Sequence, residues 1–267
     1  MKNITIGQYY PVESFVHRLD PRLKLLGVVV YITMLLTISG VWGYVFAGAC
    51  MAAVIYASKV PFRYMLRGLR AVIVLVLFTA VLNIFFTPGT TILVSFWKIK
   101  ITLEGVIVAL RMGVRLTMLV IGSSVLTLTT SPIQLTDAIE YILRPLKKIG
   151  VPSHEIAMMM TIALRFIPTL MEEMDKIMKA QMARGADFDT GGLIKKARSL
   201  IPLLVPLFIS AFRRADELAV AMEARCYRGD INRTKMRVLK FGARDFKALA
   251  GIALFVAGVL LLRFVTE

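Results

Sequence analysis

The 267-residue chain is 57% hydrophobic, has a mean hydropathy of +0.72 and carries a formal net charge of +16 at pH 7. Several uninterrupted apolar runs reach the length that crosses a bilayer, which excludes an ordinary soluble domain and indicates an integral membrane protein. The excess of Lys and Arg does not indicate nucleic acid as a partner. The basic residues flank apolar runs, where the positive-inside rule and anionic lipid headgroups account for them.

The apolar runs predict an all-α membrane protein with about five transmembrane helices, four early in the chain and one at its end. The loop Ser58–Arg70 carries four basic residues and no acid, which places it and the N-terminus in the cytoplasm and the C-terminus outside. A β-like or interfacial stretch that ends near Trp97 separates the third and fourth spans. The spans are predicted at about Leu23–Ile38, Val41–Ala57, Ala71–Phe86, Leu103–Thr129 and Ala248–Val265.

The chain divides into three predicted domains. Residues 1–130 form an N-terminal membrane domain with four spans, residues 131–247 form a charged cytoplasmic or interfacial helical domain, and residues 248–267 form the C-terminal transmembrane helix. The charged domain is predicted to begin with one amphipathic helix over Pro132–Ile149. Long helices are therefore inserted before the last span.

Two long helices follow in the charged domain. The first is predicted from His154 to Arg184 with Ser153 as its N-cap, and the second ends at Arg225. Each has an apolar first half of roughly 13–15 residues, which is short of the ~20 needed to span a bilayer. These halves, 156–170 and 200–212, are expected to lie in or just below the inner leaflet. They contain the candidate hinges Pro168, Pro202 and Pro206.

The same pattern of small residues and arginine ends both long helices. Ala180, Ala183, Arg184 and Gly185 in the first copy correspond to Ala221, Ala224, Arg225 and Cys226 in the second, 41 positions later. For either copy alone, the simplest explanation is structural, because the helix dipole favours a C-terminal arginine and glycine is a common C-cap. Two equivalent helix ends instead predict two equivalent sockets on a partner.

Arg111 and Arg115 lie four residues apart, and therefore on one face, inside the fourth span. Such charges usually face a polar cavity or the interior of a helix bundle. They could line a substrate path or belong to a polar seam or a partner interface. Apart from Glu104 at the very start of the fourth span, the predicted spans hold no carboxylate to pair with them, which favours the seam or the interface.

The sequence contains no recognisable constellation for catalysis, metal binding or nucleotide binding. Its two histidines, His17 and His154, have no metal-ligand spacing to other ligand types. No Ser/His/Asp set and no pair of acids in an apolar span offers acid–base chemistry. A Gly-x-x-x-x-Gly-Lys-Ser/Thr loop is missing as well. We therefore expect neither an enzyme nor a metal or cofactor in this chain, so any ATPase would be another protein.

The paired signatures at the ends of long helices, after four spans, resemble the Ala-Arg-Gly signatures of one permease family. This family is the transmembrane T component of energy-coupling factor (ECF) transporters, a branch of ABC importers. Residues 14–25 and 129–132 also look like the N-terminal and mid-chain segments of the family, so the resemblance covers essentially the whole chain. The second copy departs from it, with Cys226 in the glycine position and glycine delayed to Gly229. If glycine were required for a left-handed cap, this end would need another geometry.

The resemblance implies a non-catalytic subunit whose cytoplasmic coupling helices dock into two ABC ATPases, expected as a heterodimer that binds ATP and Mg. A separate membrane subunit, the S component, would capture a vitamin or another micronutrient. The expected location is the cytoplasmic (inner) membrane of a bacterium or archaeon. Arg184 and Arg225 would dock, with Gly185 and Cys226 ending the helices. The small residues Ala180, Ala183, Ala221 and Ala224 would allow close approach.

Three other interpretations remain at this point. The first is a dedicated cobalt or nickel permease of the same superfamily, which shares the coupling logic. The second is a membrane enzyme that modifies lipid, for which Glu140 or Glu155 would need a catalytic companion that the sequence does not identify. The third is a scaffold without transport activity.

Overall fold

The computed structural model describes residues 9–89, 91–96, 99–186, 188, 192–229, 239 and 241–266. It confirms the predicted all-α membrane fold, apart from one small β-hairpin. The chain divides into two compact units, the first of residues 1–138 and 237–267 and the second of residues 139–236. The domain boundaries expected after residues 130 and 247 stay a prediction.

Eight α-helices, two strands and one 3-10 helix follow in chain order within the described residues. They are α1 (Pro21–Thr37), α2 (Val41–Ser58), α3 (Phe62–Phe86), β1 (Ile92–Phe96), β2 (Ile99–Thr102), α4 (Leu103–Thr129), α5 (Pro132–Leu143), the 3-10 helix (Arg144–Ile149), α6 (Ser153–Ala183), α7 (Leu193–Ala224) and α8 (Ala243–Thr266). The antiparallel hairpin of β1 and β2 occupies the stretch expected to be β-like. Trp97 itself lies outside the described residues.

Among the described residues of the first unit, three helices are long and apolar enough to cross a membrane, namely α2, α4 and α8. A fourth span results if the two segments of α3, Phe62–Arg70 and Val72–Phe86, count as one despite their 57° bend. The predicted first span falls in α1, whose 17 residues are at the lower limit for crossing. Large apolar side chains stay exposed on these helices, for example Leu77 at 67% and Phe264 at 90%. This exposure suits contact with lipid, while the total of five spans stays a prediction.

The sequence-based boundaries are wrong in three places. The predicted loop Ser58–Arg70 is mostly helix, because nothing after Pro61 stops α3 from starting at Phe62. The predicted helix Pro132–Ile149 ends at Leu143 and continues as a 3-10 helix, since Pro145 lacks a backbone donor and disfavours an α conformation before it. Ser153 is the first residue of α6 rather than its N-cap. The N-cap is Pro152, whose side chain makes no capping hydrogen bond.

Small residues allow the helices of the first unit to approach closely. A Cβ added to Gly122 of α4 would lie 2.7 Å from the ring of Tyr31, and one added to Gly258 of α8 would lie 2.6 Å from the ring of Phe46. Tyr31 and Phe255 then pack with their ring centroids 5.7 Å apart. Van der Waals contact between closely spaced helices is the main source of stability inside a bilayer. These contacts join α1, α2, α4 and α8 around one core.

A layer of buried polar groups, which we call the polar layer, closes one end of this helix set. It consists of the buried residues Asp20, Lys24 and Asp245, together with His17 and the last carbonyl group of α4. Lys24 Nζ donates to the carbonyl oxygens of Thr129 (2.9 Å) and His17 (3.1 Å). The Asp20 N–H donates to Asp245 Oδ1 at 2.9 Å. The starts of α1 and α8 and the end of α4 are thereby bonded to one another.

The N-terminal segment contributes His17 to the polar layer as a neutral side chain. Burial lowers the pKa of His17 below its ordinary value of 6.5, and the nearby Lys24 ammonium acts in the same direction. With Nε2 carrying the proton, the ring donates to the Tyr10 carbonyl oxygen (3.0 Å) and accepts from the Ser14 hydroxyl (2.7 Å). Both ring nitrogens are thus satisfied without a charge.

Candidate functional site

The two predicted signatures end α6 and α7 with the same backbone geometry. Arg184 has φ −88° and ψ 7°, and Arg225 has φ −91° and ψ 12°. The Ala186 N–H donates to the Gln181 carbonyl oxygen at 3.0 Å, and the Tyr227 N–H donates to the Met222 carbonyl oxygen at 3.0 Å. Each of these bonds is the six-residue bond of a Schellman C-cap. The sequence repeat is therefore also a structural repeat.

The position after each arginine is left-handed, although only the first copy has glycine there. Gly185 has φ 87° and Cys226 has φ 55°. Their N–H groups donate to the carbonyl oxygens of Met182 (3.0 Å) and Glu223 (2.8 Å), which are again equivalent positions. Glycine is therefore not required for the left-handed cap, and the second end needs no other geometry. The cysteine adopts the glycine conformation at a cost of about 1 kcal/mol, because its Cβ crowds the carbonyl group.

All eight predicted docking residues lie on the surface of the described chain. The arginines, the four alanines, Gly185 and Cys226 are each exposed. A Cβ added to Gly185 would meet no atom within 4 Å. The two small-residue faces are thus open, and each arginine stands at the helix end where its charge complements the dipole. A guanidinium in this setting can form bidentate bonds to a carboxylate of a partner.

A contact that the sequence did not reveal joins α6 to α7. Glu173 accepts from the Ser210 hydroxyl through Oε1 (2.5 Å) and from the Arg214 guanidinium through Oε2 (2.8 Å). These bonds lower the pKa of Glu173, the Ser210 bond most and the Arg214 bond next. Glu173 and Arg214 are 41 residues apart, which is also the offset of the repeat. Equivalent positions of the two helices therefore bind each other, each eleven residues before its cap arginine.

The three candidate hinge prolines lie inside continuous helices. Pro168 is within α6, and Pro202 and Pro206 are within α7. Each proline removes one backbone hydrogen bond, so local bending there is easier than elsewhere in the helix. Hinge motion at these sites stays a prediction.

Arg115 of α4 belongs to a polar seam, as the sequence favoured. Its Nε donates to the Tyr44 hydroxyl (2.9 Å), and one terminal nitrogen donates to the Ile38 carbonyl oxygen (2.9 Å). These two hydrogen bonds connect α4 to the turn between α1 and α2 and to the start of α2. Arg111, one turn away, is exposed and does not share these bonds.

Glu140, one candidate for acid–base chemistry, does have a companion. Its Oε1 lies 3.3 Å from His154 Nδ1, and both side chains are largely buried. The expectation that Glu140 lacks such a neighbour is wrong, because the 3-10 helix folds α6 back onto the end of α5. Among the described residues, no group of three or more His, Cys, Asp or Glu could hold a metal ion.

Comparison with known proteins places this arrangement in a family. A family model described as cobalt transport protein (CbiQ) matches residues 12–236, which include both caps. The chain is similar to the energy-coupling factor transporter transmembrane protein EcfT of Clostridium kluyveri, with 59% identity over 249 residues that cover 93% of this chain and 92% of the relative. It is 53% identical to EcfT of Thermosediminibacter oceani over 265 residues (99% and 100%) and 45% identical to EcfT of Lactococcus lactis subsp. cremoris over 262 residues (98% and 98%).

The apolar helices and these matches define the transmembrane component of a transporter, located in a membrane and belonging to a complex with other subunits. More particularly, the chain belongs to the family of energy-coupling factor transporter transmembrane proteins. The family resemblance carried by the paired signatures is confirmed, and the residues of the signatures are exposed at two matching helix ends.

The second cap should become more stable when its strain is removed. We expect Cys226→Gly to raise the melting temperature of the purified chain in mild detergent, because glycine tolerates φ 55° and gains about 1 kcal/mol locally. Cys226→Ala is the matched control, since it removes the thiol and keeps the Cβ. An equal rise in both variants would assign the effect to the thiol instead of the backbone.

The Glu173 contact should depend on pH. The pKa of Glu173 is lower in the folded chain than in the unfolded chain, where it is near 4.5. The carboxylate therefore stabilises the folded state fully above pH 4.5, and this stabilisation is lost as the pH falls through the lower pKa of the folded chain. Protease nicking of the second unit should therefore rise below about pH 4.5 in the wild type, and Glu173→Gln should show high nicking throughout. The exposed neighbour Glu172→Gln should titrate like the wild type, and loss of the pH step in that variant would contradict this role.

Proposed function

We propose that this chain couples two ABC ATPases to a substrate-binding membrane subunit, the S component, in an importer for a vitamin or another micronutrient. The observation that carries the proposal is the pair of exposed, arginine-tipped caps with matching geometry. Two equivalent helix ends suit a partner that offers two equivalent grooves, as two related ATPases would. ATP hydrolysis with Mg then belongs to these partners, and this chain transmits the motion without chemistry of its own.

In this proposal each helix end inserts into a groove of an ATPase, with alanines on its sides and a positively charged arginine at its tip. Ala180 and Ala183 lie on the face of α6 next to Arg184, and Ala221 and Ala224 do the same for Arg225. Small side chains let the helix enter a groove deeply, so the guanidinium is desolvated against a carboxylate. Truncation of one partner of such a pair typically costs about 2–5 kcal/mol. Bending at Pro168, Pro202 and Pro206 would pass ATPase closure along α6 and α7.

The proposed location is the cytoplasmic membrane of a bacterium or archaeon, with the N-terminus inside and the C-terminus outside. The apolar halves of α6 and α7 would lie along the inner leaflet, which keeps both caps in the cytoplasm. The positive charges at the start of α3 support this orientation, because Lys59, Arg63 and Arg70 carry no neighbouring acid in sequence.

A dedicated cobalt or nickel permease is the second candidate, favoured by the description of the matching family model. It would use the same caps and differ in its partners. Purification of the intact complex separates the two, since two different ATPases and a vitamin-binding subunit support the first proposal. A single kind of ATPase with metal uptake would support the second.

Docking can be tested with a double variant. We expect Arg184→Ala with Arg225→Ala to abolish co-purification of the ATPases and substrate uptake, because both desolvated ion pairs are lost, while membrane insertion stays normal. Co-purification in mild detergent and uptake by cells measure the two effects. Arg165→Ala with Arg213→Ala is the matched control, as it removes one exposed arginine from each of α6 and α7 away from the caps. Normal uptake by the Arg184/Arg225 variant would refute docking through these arginines.

The orientation can be tested at the exposed thiol of Cys226. In a Cys50→Ser background, a membrane-impermeant maleimide should label Cys226 only after the cells are permeabilised. Thr266→Cys, in a chain without other cysteines, should be labelled in intact cells. Labelling of Cys226 in intact cells would overturn the proposed orientation.

A further inference from the structure

An apolar groove lies within the first unit among α1, α2, α4, α8 and the N-terminal segment. Its volume is about 450 Å³, within the range of cavities that hold small ligands. Side chains from each of these helices form its walls, including Val28, Tyr31, Val54, Leu126, Ile252 and Phe255. Such walls suit a hydrocarbon chain.

The groove ends at the polar layer, where it opens toward a cluster of cations. A second cavity shares Phe15 and Ala57 with the groove and is lined by Arg18, Lys59 and Arg244. Lys247 lines the groove itself at this end. We call Lys59, Arg244 and Lys247 the basic mouth. All three residues are exposed, and no carboxylate among the described residues forms an ion pair with them.

The other charges near the mouth are already engaged. Arg18 forms an ion pair with Glu13, so these two side chains neutralise each other. Lys24 also lines the groove, but its ammonium donates to the carbonyl oxygens of His17 and Thr129 inside the polar layer. Arg244, Lys247, Lys59 and Lys24 outnumber the two buried carboxylates of the polar layer, Asp20 and Asp245, so the excess charge beside the groove is positive.

One polar atom is left unsatisfied within the groove walls. The hydroxyl group of Tyr31 is buried and has no hydrogen-bond partner in the described part of the chain. A buried hydroxyl without a partner is costly, and a ligand that brings an acceptor removes that cost. A ligand oxygen that reached this hydroxyl would supply such an acceptor.

We propose that this groove binds an anionic phospholipid from the surrounding bilayer, with one acyl chain in the groove and the phosphate at the basic mouth. The helices of this unit lie in a membrane, so phospholipid is present at high local concentration. Basic pockets between transmembrane helices select anionic headgroups, whereas a zwitterionic headgroup places its own cation next to them. The ligand chemistry thus follows from an apolar wall and an adjoining rim of exposed cations.

The headgroup part is tested by lipid titration of the delipidated full chain in mild detergent. We expect dioleoyl-phosphatidylglycerol to raise the melting temperature and to appear as a bound adduct in native mass spectrometry, and dioleoyl-phosphatidylcholine to do so far more weakly. Arg244→Gln with Lys247→Gln should weaken phosphatidylglycerol binding about five-fold for each cation removed. The matched control is Arg144→Gln with Lys148→Gln, which removes the same two charges from the exposed 3-10 helix. Equal weakening in both double variants would overturn the proposal.

The acyl part is tested by filling the groove. Gly251 lines it, and a Cβ added there meets no atom within 4 Å, so Gly251→Leu has room to begin a side chain that fills the groove. This variant should fold normally and lose phosphatidylglycerol binding. Ala250→Leu, at an exposed position on the same helix, should keep phosphatidylglycerol binding.

Unchanged binding by Gly251→Leu, or equal binding of water-soluble glycerol phosphate, would show that no acyl chain enters. Release of the lipid on addition of the other transporter subunits would assign the groove to a protein segment and also overturn the proposal.

Discussion

A buried ammonium group holds the membrane-embedded unit together at one end. Lys24 Nζ donates to two carbonyl oxygens, one in the N-terminal segment and one at the last turn of α4. A charge in the protein interior is tolerated only when it is hydrogen-bonded and balanced. Asp20 and Asp245, buried in the same layer, supply the opposite charge and occupy the positive ends of α1 and α8. Deeper in the unit, Arg115 adds a second polar contact between helices, and large apolar side chains such as Leu77 and Phe264 cover the outer faces.

Local features were predictable because their causes are local. The bounds of α4 were predicted to the residue, and α2 extends only one residue further, since a long apolar run between turn residues has one simple interpretation. The candidate docking residues stand out in the sequence because the pattern occurs twice with one offset. Errors arose where two local signals compete. Pro145 overrides the amphipathic pattern of α5, and the favourable helical sequence after Pro61 overrides the basic composition that suggested a loop.

Contacts between distant residues could not be predicted from one sequence. Asp20 and Asp245 are 225 positions apart, and neither their spacing nor their residue type indicates that they meet. The Glu173–Arg214 contact shares the 41-residue offset of the repeat, and this was the one signal that could have found it. The left-handed Cys226 illustrates the reverse case. There, the hydrogen bonds of the cap hold a residue in a conformation that its own preference opposes.

The equivalence of Glu173 and Arg214 has a mechanical consequence for α6 and α7. Each residue precedes its cap arginine by eleven positions, so each arm beyond the contact is about 16 Å long at the rise of an α-helix. The two helix segments between this contact and the cap arginines therefore have equal length. A rotation of the two helices about this contact would displace both arginine side chains by similar distances.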